Sequence, residues 1–124
     1  MEANHALLDQ LLAANRRYAE TFPEGSVGHA PPKKQLAVVS CMDARLTPLR
    51  FLDLEEGDAH IIRNAGGLVT EDALRSLVIS HWLLGTKLAL VVAHTECGLL
   101  EFTNEGLHAK LAEAGVNDPK IDFL

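Results

Sequence analysis

Gln35-Leu36-Ala37-Val38-Val39-Ser40-Cys41-Met42-Asp43-Ala44-Arg45 is the stretch on which the fold turns. Residues 35–40 form an apolar, β-branched run that stops at a cysteine, as a strand buried on both faces would. Working outward, residues 59–63 read as a second short strand and residues 87–93, Lys87-Leu88-Ala89-Leu90-Val91-Val92-Ala93, as a third. Leu7, Leu8, Leu11, Leu12 and Tyr18 recur at helical spacing, which predicts an amphipathic helix over residues 2–20, ending before Pro23. Residues 21–34, punctuated by Pro23, Gly25, Gly28, Pro31 and Pro32, read as a loop. Thr47-Pro48 marks a short helix within residues 45–55. Thr70 before Glu71 and Asp72 caps a helix that runs to Leu84 and stops at Gly85. A last helix is predicted over residues 99–114, closing at Gly115.

Strand, helix, strand, helix, strand with right-handed crossovers is the α/β pattern of a mostly parallel sheet flanked by helices. With the first strand between the other two, the order is 2-1-3, and the reversal of direction falls between the strands ending at Cys41 and near His94. Ligands on such sheets gather at that crevice, at the carboxyl ends of the strands.

The 124 residues suit one domain, 1–124, and 48% hydrophobic residues supply a core. A net charge of −6 opposes a nucleic-acid footprint, and Lys33-Lys34 is too short a basic run to change that. No apolar run approaches the roughly 20 residues that span a bilayer, and Met1-Glu2-Ala3-Asn4-His5 lacks the layout of a signal peptide, so a cytoplasmic setting is expected. In that reducing compartment the two cysteines favour a metal or a reactive thiol over a structural disulfide.

Both cysteines lie in short motifs, Ser40-Cys41-Met42-Asp43-Ala44-Arg45 and His94-Thr95-Glu96-Cys97-Gly98. Two thiolates and an imidazole form the three-ligand set of a zinc ion whose fourth position stays open, the arrangement of catalytic zinc. A buried thiol is the plainer explanation for either cysteine alone. Their joint placement with His94 at two neighbouring strand ends weighs toward Cys41, His94 and Cys97 as ligands. Asp43 and Arg45, two and four residues past Cys41, suit a pair that orients ligands and water better than a surface ion pair. Asn64-Ala65-Gly66-Gly67 is a turn at which backbone approaches a ligand closely.

Cys41-x-Asp43-x-Arg45, Arg63-Asn64-Ala65-Gly66-Gly67 and His94-x-x-Cys97-Gly98, in that order, resemble the β-class carbonic anhydrases of short prokaryotic type. The resemblance implies that Cys41, His94 and Cys97 bind Zn2+ and that Asp43 and Arg45 form the catalytic dyad. It also implies that Asn64, Gly66 and Gly67 line the carbon dioxide pocket. The expected activity is reversible hydration of carbon dioxide to bicarbonate and a proton, by hydroxide made available on zinc. In some members of the family the carboxylate matching Asp43 leaves its arginine and becomes the fourth zinc ligand, and both residues of that switch are present here. The family also leads one to expect a further helix and a fourth strand beyond residues 115–124, and neither is in the sequence. That shortening directs attention to association: a homodimer or larger homo-oligomer is expected, with the N-terminal helix packed on a partner subunit and Ile121, Phe123 and Leu124 contributing apolar surface.

Other classes fare differently. A phosphatase or rhodanese with a strand-end cysteine nucleophile needs an arginine six positions on, where this chain has Thr47. A carbon disulfide or carbonyl sulfide hydrolase on the same fold would use the same three ligands. A zinc-stabilised domain acting only through association is the non-enzymatic alternative. His5, His29, His60, His81 and His108 are available by residue type as proton shuttles, and none is assigned that role.

Overall fold

The computed structural model describes residues 2–23 and 30–117. Its elements follow in the order α1 (Glu2–Glu20), β1 (Leu36–Cys41), α2 (Pro48–Phe51), β2 (Ala59–Asn64), α3 (Glu71–Leu84), β3 (Leu88–Val92), a 3-10 turn (Gly98–Glu101) and α4 (Asn104–Glu113). The three strands form one parallel sheet in the order β2-β1-β3. β1 is buried at each of its six residues because both edges are hydrogen-bonded and both faces are covered. Leu36, Ala37, Val38, Val39 and Cys41 are most of the buried apolar set, and Ala73 of α3 joins them.

Register places the site. Cys41 pairs with Asn64 of β2, whereas pairing with β3 ends one step earlier, at Ser40 opposite Val92. The chain therefore leaves the sheet at residue 93 and delivers His94 beside the end of β1.

α3 is bounded as its sequence implies. The Thr70 side chain accepts from the Ala73 N–H, and Gly85 closes the helix in the left-handed region at φ 79°. A polar chain ties α3 into the fold: His60 Nδ1 meets Ser80 Oγ at 2.7 Å, and Ser80 Oγ meets Thr86 Oγ1 at 2.6 Å. These bonds satisfy hydroxyls of two buried residues.

The last segment departs from expectation. The single helix predicted over residues 99–114 is broken in two, because Phe102 is extended and the Thr103 side chain caps a new helix by accepting from the Gly106 N–H at 3.0 Å. Strand limits also shift: β1 includes Cys41, β2 includes Asn64, and β3 is shorter at both ends than residues 87–93. Met1, residues 24–29 of the proposed loop, with Gly25, Gly28 and His29, and residues 118–124, with Ile121, Phe123 and Leu124, lie outside the described residues.

α1 forms where the periodicity puts it, yet its apolar stripe is open to solvent: Leu7, Leu8, Leu11 and Leu12 are 53, 52, 57 and 45% exposed. Leu74, Val78 and Trp82 of α3 and Leu88 and Val91 of β3 are exposed as well. No helix among the described residues is long and apolar enough to cross a membrane.

Candidate metal centre

Cys41, His94 and Cys97 come together at the carboxyl end of the sheet, with their ligating atoms all within 4.8 Å of one another. The sulfurs are 4.0 Å apart, far beyond a disulfide bond, and both thiols are free. Two zinc–sulfur bonds of ~2.3 Å at a tetrahedral angle put sulfurs roughly 3.8 Å apart, so the observed spacing suits a shared ion.

The imidazole is prepared in the same sense. His94 Nδ1 lies 2.8 Å from the Thr95 carbonyl oxygen, which only accepts, so Nδ1 carries the hydrogen and Nε2 keeps its lone pair. A carbonyl on the far nitrogen is the usual partner of a metal-ligating histidine. Nε2 itself is buried and meets no partner in satisfactory hydrogen-bond geometry. The nearby Cys41 sulfur favours the charged ring and is the leading cause of a raised imidazole pKa, ahead of the opposing effect of burial.

The effect on Cys41 is reciprocal. Burial pushes this thiol up, but the neighbouring His94 ring, the backbone at Asp43 and Gly66 and the Cys97 thiol favour the thiolate, outweigh burial and bring it down to about 7. A donor set of one such thiol, a second thiol 4.0 Å away and an orphaned imidazole nitrogen fits a borderline-soft divalent cation such as zinc.

Asp43 and Arg45 are paired, and the pair bridges the two motifs. Arg45 Nε donates to Asp43 Oδ1 at 3.0 Å, Arg45 Nη2 donates to Asp43 Oδ2 at 2.6 Å, and the Arg45 backbone N–H reaches Asp43 Oδ1 at 2.8 Å. Arg45 Nη2 also donates to the Glu96 carbonyl at 3.1 Å, fastening residues 43–45 to the loop that carries Cys97. Glu96 is left-handed, φ 54°, a strained state for a residue with a side chain, and it stands between His94 and Cys97. The Arg45 side chain holds the Asp43 carboxyl far below the usual carboxylate range, helped by the Arg45 N–H. Asp43 in turn raises the pKa of the guanidinium.

The glycine turn packs on the ligand strand. A Cβ at Gly67 would lie 2.8 Å from the Cys41 nitrogen and 3.0 Å from the Ser40 carbonyl carbon, and φ is +63°, so only glycine fits. A Cβ at Gly66 would run into the Leu99 side chain. Asn64 is committed to the turn itself: its amide nitrogen donates to Leu68 O at 2.7 Å and its Oδ1 accepts from the Leu68 N–H at 2.9 Å. Of the other histidines, His60 is bonded to Ser80 and Ala30, and His81 lies against the Thr86 carbonyl, away from the cluster.

Two contributors escape a reading of the sequence. The Thr95 and Glu96 carbonyls act through backbone direction, which residue identity does not encode. Arg63 donates from Nε to Cys41 O at 3.0 Å and from Nη2 to Asp43 O at 2.8 Å. Its place at the head of the Arg63-Asn64-Ala65-Gly66-Gly67 motif, at the end of a predicted strand, marked the residue but not these contacts.

Residues 36–118 match the sequence model of the carbonic anhydrase family. The chain is 50% identical over 97 residues to beta-carbonic anhydrase 1 of Mycobacterium tuberculosis, an alignment covering 78% of this chain and 58% of that protein. It thus spans less than two thirds of that relative's length. A carbon disulfide hydrolase of Acidianus is 34% identical over 117 residues, covering 94% of this chain and 57% of the hydrolase. Among solved structures, the carbonic anhydrase of Streptococcus mutans superposes with a TM-score of 0.81 at 43% identity, covering 94% of this chain and 70% of that one.

Proposed function

The chain belongs to the β-class carbonic anhydrases, and from that premise we propose that it hydrates carbon dioxide reversibly to bicarbonate and a proton at a zinc ion held by Cys41, His94 and Cys97. The observation that carries this reading is the meeting of two sulfurs and one orphaned imidazole nitrogen within 4.8 Å, beside an ionised Asp43. Zinc, when bound, supplies the Lewis acidity that makes hydroxide available near neutral pH to attack the carbon of carbon dioxide.

The protein's own groups do the rest. Two thiolates offset the charge of the ion, so the acidifying effect is weaker than at an all-histidine site and orientation counts for more. Asp43, held ionised by Arg45, is an acceptor only. Its basicity is too low for a proton carrier near neutral pH, so its role is to accept a hydrogen bond and aim the attacking lone pair. The pair with Arg45 opposes a turn of this carboxylate onto zinc, because that turn would break its hydrogen bonds to the guanidinium. Gly66 and Gly67 bring an almost bare backbone against the end of β1, which supports their lining the carbon dioxide pocket. Asn64 is placed with them: its side chain, bonded to Leu68, holds the turn that lines the pocket.

A single zinc domain over residues 1–124, association into a homodimer or larger oligomer, and a cytoplasmic setting that keeps both thiols reduced complete the reading. The open stripe of Leu7, Leu8, Leu11 and Leu12 supports the association, with α1 lying on a second subunit. The carbon disulfide hydrolase relatives give a second reading, the same ligands acting on carbon disulfide. Stopped-flow hydration of carbon dioxide and release of sulfide from carbon disulfide, both on protein of known zinc content, test the pair. Zinc-dependent hydration with no sulfide release is expected, and a zinc-loaded protein inert toward carbon dioxide would refute the first reading.

A further inference from the structure

Three consecutive residues at the end of β1 are fixed by groups from one short segment, 63–67. The Cys41 carbonyl accepts from Arg63 Nε at 3.0 Å, the Met42 N–H donates to the Asn64 carbonyl at 2.8 Å, and the Asp43 carbonyl accepts from Arg63 Nη2 at 2.8 Å. From behind, Gly67 lies so close to the Cys41 nitrogen that no side chain fits between. Arg63 is a solvent-exposed side chain, yet both hydrogen bonds it makes go to main-chain oxygens of the site.

We propose that Arg63 is a positioning residue: its guanidinium clamps the carbonyls of Cys41 and Asp43 and so sets the directions in which the Cys41 sulfur and the Asp43 carboxylate leave the backbone. The inference rests on the reading of the site given above. Carbonyls of residues i and i+2 converge on one planar fork, so rotation of the peptide on either side of Met42 breaks one of the two bonds. The donors must be rigidly spaced to hold both, which a guanidinium provides and an ammonium does not. The Asp43 carboxylate is held twice, by Arg45 through its side chain and by Arg63 through its backbone, and the two arginines approach from different elements.

Arg63→Met and Arg63→Lys in the full chain test the clamp, with zinc content, amide hydrogen exchange over residues 42–45 and carbon dioxide hydration measured on each. Arg63→Met is expected to keep about one zinc per chain. Its Met42 and Arg45 amides should exchange roughly tenfold faster or more, because the segment opens locally. The Arg45 amide matters most, since it donates to the Asp43 carboxylate. kcat should fall roughly ten- to a hundredfold with KM within about twofold, the mark of misplacement rather than lost binding. Arg63→Lys, able to serve one carbonyl at a time, should lie between, and it decides the matter if the methionine variant does not fold. Parent-like exchange and kcat in a folded, zinc-loaded variant would overturn the proposal. A parent protein without hydration activity would sink the functional reading instead, and the exchange rates would still decide the clamp.

Discussion

β1 and α1 are both rich in apolar residues, and the molecule uses them in opposite ways. Every residue of Leu36–Cys41 is buried between two parallel neighbours, whereas Leu7, Leu8, Leu11 and Leu12 of α1 are each about half exposed. Burial is worth about 25 cal/mol per Å² of apolar area, so β1 realises its share within the chain and α1 leaves its own unrealised. Of the three candidate ligands, Cys41 ends the first kind of structure, while His94 and Cys97 lie just past the end of β3. A ligand set must be held to within fractions of an ångström, and a strand paired on both sides supplies that rigidity. An unpartnered helix supplies a surface for association.

The largest expected effect comes from the candidate ligand set. Cys97→Ser replaces a soft thiolate with a hydroxyl and should lose most of the zinc, with hydration falling toward the background rate. Elemental analysis beside a stopped-flow assay measures both, and full zinc retention would remove Cys97 from the ligand set.

Asp43→Ala should leave zinc bound and reduce kcat by roughly a hundred- to a thousandfold, the range for loss of one preorganised polar group. Arg45→Ala should act in the same direction, since the carboxylate then loses three of its hydrogen-bond contacts and the tie to Glu96 goes as well. Parent rates in both variants would separate the dyad from catalysis even with the zinc site intact.

A pair of deletions sharpens the contrast between strand and helix. Val38→Ala, in the fully buried centre of β1, should lower unfolding stability by about 2 kcal/mol through lost transfer energy and the cavity left behind. Leu11→Ala should cost under about 0.5 kcal/mol in the dissociated chain, as a surface change does. Its effect should appear instead in self-association, as a weaker dimer by light scattering or sedimentation. Equal costs in the two variants would show α1 packed within its own chain. A well-folded, zinc-loaded monomer of the parent at micromolar concentration would contradict the association.

The smallest effect concerns pH in the zinc-free protein. The Cys41 pKa is lowered to about 7, so this thiolate contributes stability that is fully present above the unfolded thiol's pKa and is lost as pH falls through about 7. Asp43, depressed far more, holds its charge until pH falls well below the ordinary carboxylate range, so the acid limb near neutrality belongs to the thiol. Thiolate absorbance at 240 nm should rise with a midpoint near 7, and Cys41→Ser should abolish that step. A lone step in the range of an ordinary cysteine would refute it.

The parts legible in the sequence are those set by side-chain type. The β-branched run before Cys41 announced a doubly buried strand, Thr70 and Gly85 announced the ends of α3, and placing that buried strand between the other two gave the observed 2-1-3 order. The break in the last helix was hidden because the apolar content runs straight through it, and a capping hydroxyl at Thr103 decides against it. The convergence of Cys41 with His94 and Cys97 followed from strand order alone. The carbonyls of Thr95 and Glu96 and the reach of Arg63 depend on backbone direction and register, which appear only once the sheet is assembled.

X-ray absorption at the zinc edge of the purified chain tests the central claim most directly. Three protein ligands of the proposed kind predict about two sulfur scatterers at ~2.3 Å and nitrogen or oxygen scatterers at ~2.0–2.1 Å, at close to one zinc per chain. A shell without sulfur, or zinc far below one per chain in folded protein, would contradict the assignment of Cys41, His94 and Cys97.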